Sequence, residues 1–201
     1  MVFLMAVSAI GYTQTKKTLV GFQDIPWGST IQFVKSKFSN AQEIDLCKVM
    51  TKGLSDEEQK NFRQKLRDRD ENCSYLLISN YTVANINLSL NFYFNNSGKL
   101  DTVQLDKYFL EKDSPEWNYR CSEAYLKIIQ LLTINYGTPA EVSNISEFKA
   151  FYNNIEGKIW LPLPTQISIK RKWGSKFAAE KPQSDLCFMS IDYTKRGESK
   201  L

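Results

Sequence analysis

The side chains best suited to ligand binding are three of the four tryptophans and one short basic run. Tryptophans offer flat apolar faces, and adjacent Lys and Arg side chains pair with anions, so together they predict a site for a small molecule or glycan. The structural alternative is that the tryptophans fill the core and the basic run protects a strand edge from aggregation. The residues concerned are Trp117, Trp160, Trp173, Lys170, Arg171 and Lys172.

Catalysis has few residues to draw on, because the chain contains no histidine. That removes the commonest general base near neutral pH, the commonest metal ligand, and the Ser–His and Cys–His nucleophile pairs. The carboxylates fall mostly at predicted helix starts and polar turns, where helix dipoles and solvent account for them. We therefore predict a non-enzymatic protein with no catalytic residue, no metal site and no cofactor.

The four cysteines, Cys47, Cys73, Cys121 and Cys187, indicate an exported protein with two disulfides, for which three pairings are possible. Cys47 and Cys73 bracket one helical segment, which favours a bond joining its ends. Cys121 lies early in the longest predicted helix and Cys187 in the last predicted strand, so these two meet if that helix covers the sheet. Four reduced core thiols are the alternative.

The first residues also favour export. Residues 2–11 form an apolar run that is too short to span a bilayer but suits the hydrophobic part of a signal peptide. We predict that residues 1–15 are a signal-peptide remnant and that the protein is periplasmic or secreted; a buried first strand is the alternative. No other stretch reaches transmembrane length. The net charge of +4 is too modest to indicate a nucleic-acid partner.

The segment around Trp27 combines Trp, Gly, Pro and hydroxyl residues as a binding loop can, but its residue pattern predicts the start of a helix. Ser29 and Gln32 fit a capping box, and apolar residues follow at positions 31, 34 and 38, on one helical face. Gly28 gives the backbone room to turn into the helix, and Trp27 precedes the cap, where an apolar side chain packs back onto the first turns. We interpret Trp27, Gly28 and Ser29 as structural.

The rest of the first half predicts a charged helix and then strands. Ser55 and Glu58 make a second capping box, which opens a surface helix over about 56–70. From Ile86 to Phe94 apolar and polar residues alternate, NNSG with Gly98 makes a turn, and a strand returns, so residues 86–109 form a hairpin. Residues 75–83 supply the strand before it.

The second half begins with the longest helix. Ser114 is its predicted cap, Pro115 its first residue and Gly137 its end. Apolar residues occupy most of its circumference, so we expect it to be covered on more than one side. Three strand-like runs follow, ISEFKAFY, KIWLPLPTQISIKRKW and LCFMSIDY. Because Pro162 and Pro164 interrupt hydrogen bonding, residues 157–163 are predicted to be a sheet edge or an irregular lead into a strand at 165–173.

Both halves thus have one helix followed by three strands. We predict an α+β fold of two pseudo-repeated α-β-β-β units, with antiparallel sheet or sheets packed against the helices. The first unit covers residues 16–112 and includes the inserted charged helix; the second covers residues 113–201. The two units form either separate sheets or one compact domain.

Three motifs carry a resemblance to known proteins: G-S-T-x-x-x-V at a helix start, NYGTP at a helix end and FYFNNSGKLDTV as a strand–turn–strand. The chain resembles small exported bacterial α+β domains and is distantly similar to the BamE/SmpA-type outer-membrane assembly lipoprotein family. The resemblance implies short helices before a meander of strands and a scaffolding role rather than catalysis. The matching residues are Gly28, Ser29, Val34, Gly98, Leu100, Tyr136, Gly137 and Pro139.

These observations favour an exported, non-catalytic domain that binds a protein or envelope component. Exposed strand edges or the charged helix are the expected contact surfaces, with Trp and Tyr as anchors. The alternative is a small-molecule or glycan binder that uses the tryptophans and the basic run. Neither the identity of the partner nor the oligomeric state follows from the sequence.

Overall fold

The computed structural model describes residues 21–110, 113–141, 154–162, 164–174, 177–178, 181–182 and 186–196. The predicted signal-peptide remnant and the predicted strand ISEFKAFY lie outside these ranges. Within them, no helix combines the length and the apolar character needed to cross a membrane.

The described elements alternate between helices and antiparallel strands, which confirms the α+β class. In chain order they are β1 (Gly21–Phe22), β2 (Ile25–Pro26), α1 (Ile31–Lys37), β3 (Gln42–Asp45), α2 (Leu46–Met50), α3 (Asp56–Asp68), β4 (Glu71–Val83), β5 (Ile86–Asn95), β6 (Leu100–Leu110), α4 (Trp117–Tyr136), β7 (Ala140–Glu141), β8 (Asn154–Trp160), β9 (Thr165–Gly174), β10 (Phe177–Ala178), β11 (Lys181–Pro182) and β12 (Leu186–Lys195).

One eight-stranded sheet unites both halves of the chain. Its spatial order is β3-β4-β5-β6-β12-β9-β8-β7, and every neighbouring pair is antiparallel. The halves meet in the centre, where β6 pairs with β12. The chain therefore forms one shared sheet, and β1–β2 and β10–β11 form two separate two-stranded pairs.

The two faces of the sheet differ because side chains alternate along each strand. On β5, Leu88, Leu90, Phe92 and Phe94 are buried against the helices, as the alternation predicts. Helix α4 covers β6, β12 and β9 on that side, and α1 packs there through Phe38, whose ring lies 5.4 Å from the Phe92 ring. We call this side the helix face and the opposite side the polar face.

The start of α1 corrects the predicted cap. Thr30, not Ser29, is the N-cap: its hydroxyl accepts a hydrogen bond from the Phe33 N–H at 3.3 Å. The Ser29 hydroxyl instead donates to the Pro26 carbonyl. The reason is tertiary. Gly28 donates a backbone hydrogen bond to Leu100, Leu100 donates one to Ser29, and Thr30 forms a β-bridge with Lys99, which leaves Thr30 as the last extended residue.

The other two predicted helix-start residues link this segment to the rest of the fold. Gly28 has φ of +83°, a left-handed conformation that favours glycine. The Trp27 indole donates a hydrogen bond to the Thr165 hydroxyl at 2.8 Å, which ties the start of α1 to β9. Both residues are thus structural in their described contacts.

The charged helix and the hairpin match their predictions. Ser55 and Glu58 form the reciprocal capping box at the start of α3, and the bonds from Ser55 lower the pKa of Glu58. Helix α3 buries Leu66 and packs against β4, so it is a surface element. The β5–β6 hairpin turns through Gly98, whose φ is +68°.

Helix α4 departs from two expectations. It begins at Trp117 after Glu116, which makes no side-chain cap, so Ser114 is not the cap and Pro115 is not the first helical residue. It also buries only one face, formed by Cys121, Ala124, Tyr125, Ile128 and Leu132. Among the described residues the sheet covers one side of the helix, and Leu126 and Ile134 on the other side are exposed, so the expected second cover is not found there. The predicted end at Gly137 is confirmed.

Both favoured disulfides are present, and the reduced-thiol alternative is wrong. Cys47–Cys73 joins α2 to β4, and Cys121–Cys187 joins α4 to β12. The predicted strand at residues 165–173 is confirmed as β9. Residues 157–160 belong to β8, which pairs with β9 along its whole length; on its other side the two-residue β7 pairs with Lys158 and Ile159, so the predicted edge is covered at these two residues.

Candidate functional site

The three predicted ligand-binding tryptophans lie in different places. Trp160 is buried in the core, and its indole donates a hydrogen bond to the Gly137 carbonyl at 2.8 Å. Trp173 is partly buried on the helix face, with the Arg171 guanidinium 4.3 Å from its ring centroid. Trp117 lines a cleft at the start of α4. No surface presents all three.

Strand alternation also divides the basic run. Arg171 lies on the helix face, where its guanidinium pairs with Glu156 at 2.6 Å and donates to the Ser122 hydroxyl. Lys170 and Lys172 lie on the polar face, and the Lys170 ammonium is 3.7 Å from an Asp192 carboxylate oxygen. The six predicted residues are therefore not brought together at one site.

The polar face brings together a different set. The register aligns cross-strand neighbours from β4 through β5, β6 and β12 to β9, so their side chains form continuous rows across five strands. These side chains are amides, hydroxyls, carboxylates, ammoniums and aromatic rings. They include Tyr75, Asn91, Tyr93, Gln104, Asp106, Tyr108, Ser168, Lys170, Lys172, Phe188, Ser190 and Asp192.

Hydrogen bonds fix the polar centre of this face. The Asn91 amide donates to Asp106 at 2.9 Å, and the Gln104 amide donates to Asp192 at 2.8 Å. The Tyr93 hydroxyl donates to the Gln104 carbonyl oxygen at 3.3 Å. Each of these groups has a protein partner before any ligand arrives. The centre is therefore preorganised rather than a set of freely rotating surface side chains.

Aromatic pairs lie at both ends of that centre. Tyr75 and Tyr93 stack with ring centroids 5.3 Å apart, and the Tyr108 and Phe188 rings are 4.7 Å apart. Tyr108 is 55% exposed, which is high for so large a side chain. The Lys172 ammonium lies 5.8 Å from the Phe188 centroid, where cation–π attraction holds it near the ring.

Burial sets the ionisation of the polar centre. Burial, reinforced by the Asp192 charge, raises the pKa of Asp106, while the hydrogen bond from Asn91 opposes the rise. Burial and the nearby Asp106 carboxylate raise the pKa of Tyr93 well above its usual range, so its hydroxyl remains a hydrogen-bond donor. Burial and neighbouring Lys170 lower the pKa of Lys172.

A separate cleft lies where α4 begins beside the ends of β5 and β6. Two adjoining depressions share Lys107, Phe109 and Arg120, and the larger has a volume of about 330 Å³. Trp117 lines the smaller one. In the part of the chain that the structure describes, neither Lys107 nor Arg120 forms an ion pair. The cleft therefore presents Lys107 and Arg120 beside aromatic surface, and its lining also includes Lys127 and the carboxylates Asp113 and Glu123.

The described side chains of the polar face and the cleft offer hydrogen bonds, charges and aromatic surface. The described ranges contain no group of three or more His, Cys, Asp or Glu side chains placed to hold a metal ion. No protein-family model, no curated protein and no solved structure matches this chain. The functional argument therefore rests on the geometry of the polar face and the cleft.

Sequence reasoning missed the polar face as a site. The polar positions of β5, such as Asn91 and Tyr93, are visible in the sequence as the alternates of a buried strand. Their partners on β6 and β12 come from distant parts of the chain, and only the register shows that Gln104 and Asp192 lie beside them.

Proposed function

We propose that this chain is an exported, non-catalytic domain that binds a protein partner through the polar face. The observation that carries the proposal is the preorganised centre flanked by two aromatic pairs. Tyrosines with Ser and Asn neighbours are the side chains that antibody paratopes use, since they combine large contact area with adaptable hydrogen bonding. The partner surface we expect is a folded protein with mixed polar and aromatic character.

The size and charge of the polar face favour a protein over a sugar. Five strands at the usual spacing span roughly 19 Å, the scale of a protein interface rather than of one sugar ring. Two carboxylates, Asp106 and Asp192, balance two ammoniums, Lys170 and Lys172, of which Lys172 is only 8% exposed. A balanced face selects a partner by local pairing rather than by long-range attraction of one sign.

The compartment and the ancestry are further parts of the proposal. Two disulfides support an oxidising compartment, hence periplasmic or secreted location. The motif resemblance to BamE/SmpA-type proteins supports a scaffolding role at the envelope. The symmetric strand order, in which β4-β5-β6 and β8-β9-β12 meet through their last strands, supports an origin from two α-β-β-β units.

Site-specific photo-cross-linking in producing cells tests the proposal. A photoreactive phenylalanine analogue replaces Tyr108 on the polar face; in the control it replaces Phe33, which is exposed on α1. We expect a discrete heavier adduct from position 108 that position 33 does not give, and a weaker adduct when Tyr93→Ala is added. Equal adducts at both positions, or none at 108 in folded protein, would contradict it.

A second candidate function is the binding of an anionic small molecule or glycan in the cleft. Lys107 and Arg120 supply charge there, and Trp117 offers a stacking surface. Titration of anionic sugars while tryptophan fluorescence is monitored tests it. Fluorescence quenching that is lost in Arg120→Ala supports ligand binding in the cleft. A titration without quenching contradicts it and leaves the polar face as the candidate site.

A further inference from the structure

The two disulfides differ in their access to solvent. Both residues of the Cys121–Cys187 bond are fully buried and belong to the main hydrophobic core. In the Cys47–Cys73 bond, Cys47 is fully buried but Cys73 is partly exposed. A disulfide is exchanged or reduced only when a thiolate reaches one of its sulfurs, so access decides which bond reacts. The bond within the first half of the chain can therefore be approached from solvent at Cys73.

A guanidinium lies beside this accessible residue. Arg63 on α3 places its Nη1 3.7 Å from the Cys73 Sγ, at the surface of the molecule. Within the part of the chain that the structure describes, Arg63 forms no ion pair, so no carboxylate there neutralises its charge. An attacking thiolate brings negative charge to the sulfur. A cation at this distance therefore attracts the thiolate and stabilises the transition state of the attack.

The surroundings of Arg63 extend the positive charge. A surface depression with a volume of about 310 Å³ is lined by three cationic side chains, Lys48, Lys52 and Arg63. Its lining includes one carboxylate, Asp45, which caps α2 by accepting the Lys48 backbone N–H at 2.9 Å. The acidic first turn of α3, residues 56–58, is not part of the described lining. The excess of cations favours anionic molecules beside the disulfide.

The segment that this bond holds is separate from the main core. Helix α2 buries Cys47 and α3 buries Leu66, and neither residue belongs to the core cluster of the sheet. The disulfide is therefore a major part of what holds α2 and α3 to β4. Opening it should loosen these two helices while the eight-stranded sheet keeps its fold, because local units can open without global unfolding.

We propose that Cys73 is a site of thiol–disulfide exchange for small anionic thiols. The thiol first loses its proton to solvent, and its thiolate forms a new S–S bond with the Cys73 Sγ. The bond to Cys47 breaks, and its electron pair leaves with the Cys47 sulfur, which takes a proton from water. The products are a mixed disulfide at Cys73 and a free thiol at Cys47, so no separate oxidant or reductant is consumed. The reaction does not depend on the function proposed above.

Reaction of the native full chain with excess glutathione, a peptide thiol with two carboxylates, tests the site. Free thiols are trapped with a maleimide in denaturant after short times and located by peptide mass spectrometry. We expect glutathione on Cys73 and the maleimide on Cys47, with the second disulfide intact. Glutathione on Cys47, equally fast opening of the second disulfide, or no opening in the folded protein would overturn the proposal.

The charge of the thiol and of Arg63 provides a second test. Arg63→Gln should slow the exchange with glutathione roughly threefold, and should slow exchange with cysteamine, a cationic thiol, by less. Lys65→Gln is the matched control, because it removes the same charge from an exposed position on another side of α3 and should leave both rates unchanged. Faster exchange in Arg63→Gln would mean that Arg63 shields the sulfur. Equal slowing in both variants would mean that only the net charge of the chain matters, and either result would overturn the role of Arg63.

Discussion

At the scale of single residues, burial on the polar face sets the chemistry of Asp106 and Tyr93. The raised pKa of Asp106 means that the folded protein holds its proton more tightly than the unfolded chain, whose Asp pKa is about 3.9. The ionised carboxylate is therefore a cost to the folded state at neutral pH, and the bond from Asn91 recovers part of it.

Asp106→Asn should consequently stabilise the protein at pH 7, by less than about 1 kcal/mol because the group is partly solvated. Because the pKa of Asp106 is higher in the folded protein, the wild-type unfolding free energy falls as pH rises from the pKa of Asp106 in the unfolded chain through its pKa in the folded protein. The advantage of the variant should therefore shrink as pH falls into the acid range. Urea unfolding of both proteins across pH checks this, and a pH-independent difference would contradict it.

Arg171 illustrates a residue whose geometry matters as much as its charge. Its guanidinium contacts Glu156 and Ser122 and lies against the Trp173 ring. Lysine keeps the charge but has no planar fork and stacks poorly, so Arg171→Lys should cost about 1–2 kcal/mol of unfolding free energy. Arg67→Lys on exposed α3 is the control and should stay within about 0.5 kcal/mol. Equal effects would show that charge alone matters at Arg171.

At the scale of elements, the start of α1 shows how a tertiary bridge selects a cap. Two adjacent hydroxyl residues, Ser29 and Thr30, are available, and either suits the capping position by residue type. The backbone bonds between residues 28–29 and Leu100 extend the strand pairing up to the helix, so Thr30 takes the role.

Thr30→Ala should therefore cost about 1 kcal/mol of unfolding free energy, the usual value of an N-cap. Ser29→Ala removes only an exposed hydrogen bond to the Pro26 carbonyl and should cost less. Chemical denaturation of the two variants measures both values. A larger loss of unfolding free energy in Ser29→Ala than in Thr30→Ala would show that Ser29 is the N-cap.

At the scale of the whole molecule, the two disulfides differ in what they join. Cys47–Cys73 closes a loop with a sequence separation of 26 within the first half, whereas Cys121–Cys187 spans 66 residues and anchors α4 to the central strand β12. Chain entropy makes the bond with the longer loop worth more to the folded state.

Replacing Cys121 and Cys187 by Ala should lower the unfolding free energy by about 4 kcal/mol, and replacing Cys47 and Cys73 by about 3.5 kcal/mol. Cys121 and Cys187 also belong to the hydrophobic core, so the loss of their packing should increase the difference in unfolding free energy between the two double variants. Urea unfolding of the two double variants checks the order. If replacing Cys47 and Cys73 lowered the unfolding free energy more, the order predicted from the loop lengths would be wrong, and the α2–α3 segment would contribute more to stability than its loop length implies.

The sequence by itself determined the parts of this protein that depend on near neighbours in the chain. Strict alternation defines β5, the Ser55–Glu58 box starts α3, Gly98 and Gly137 end their elements, and the placement of the cysteines favours the correct pairs. Each of these signals is local, because backbone geometry and capping act over a few residues.

Only the tertiary structure decided the features that depend on register. Local pattern could not choose Thr30 over Ser29, because the choice depends on Leu100, some seventy residues away in the chain. Nor could the apolar circumference of α4 show that Tyr119, Leu126 and Ile134 would be exposed in the described fold. The rows of the polar face exist because β6 and β12 pair, and non-local pairing of this kind depends on how the whole chain closes around its core.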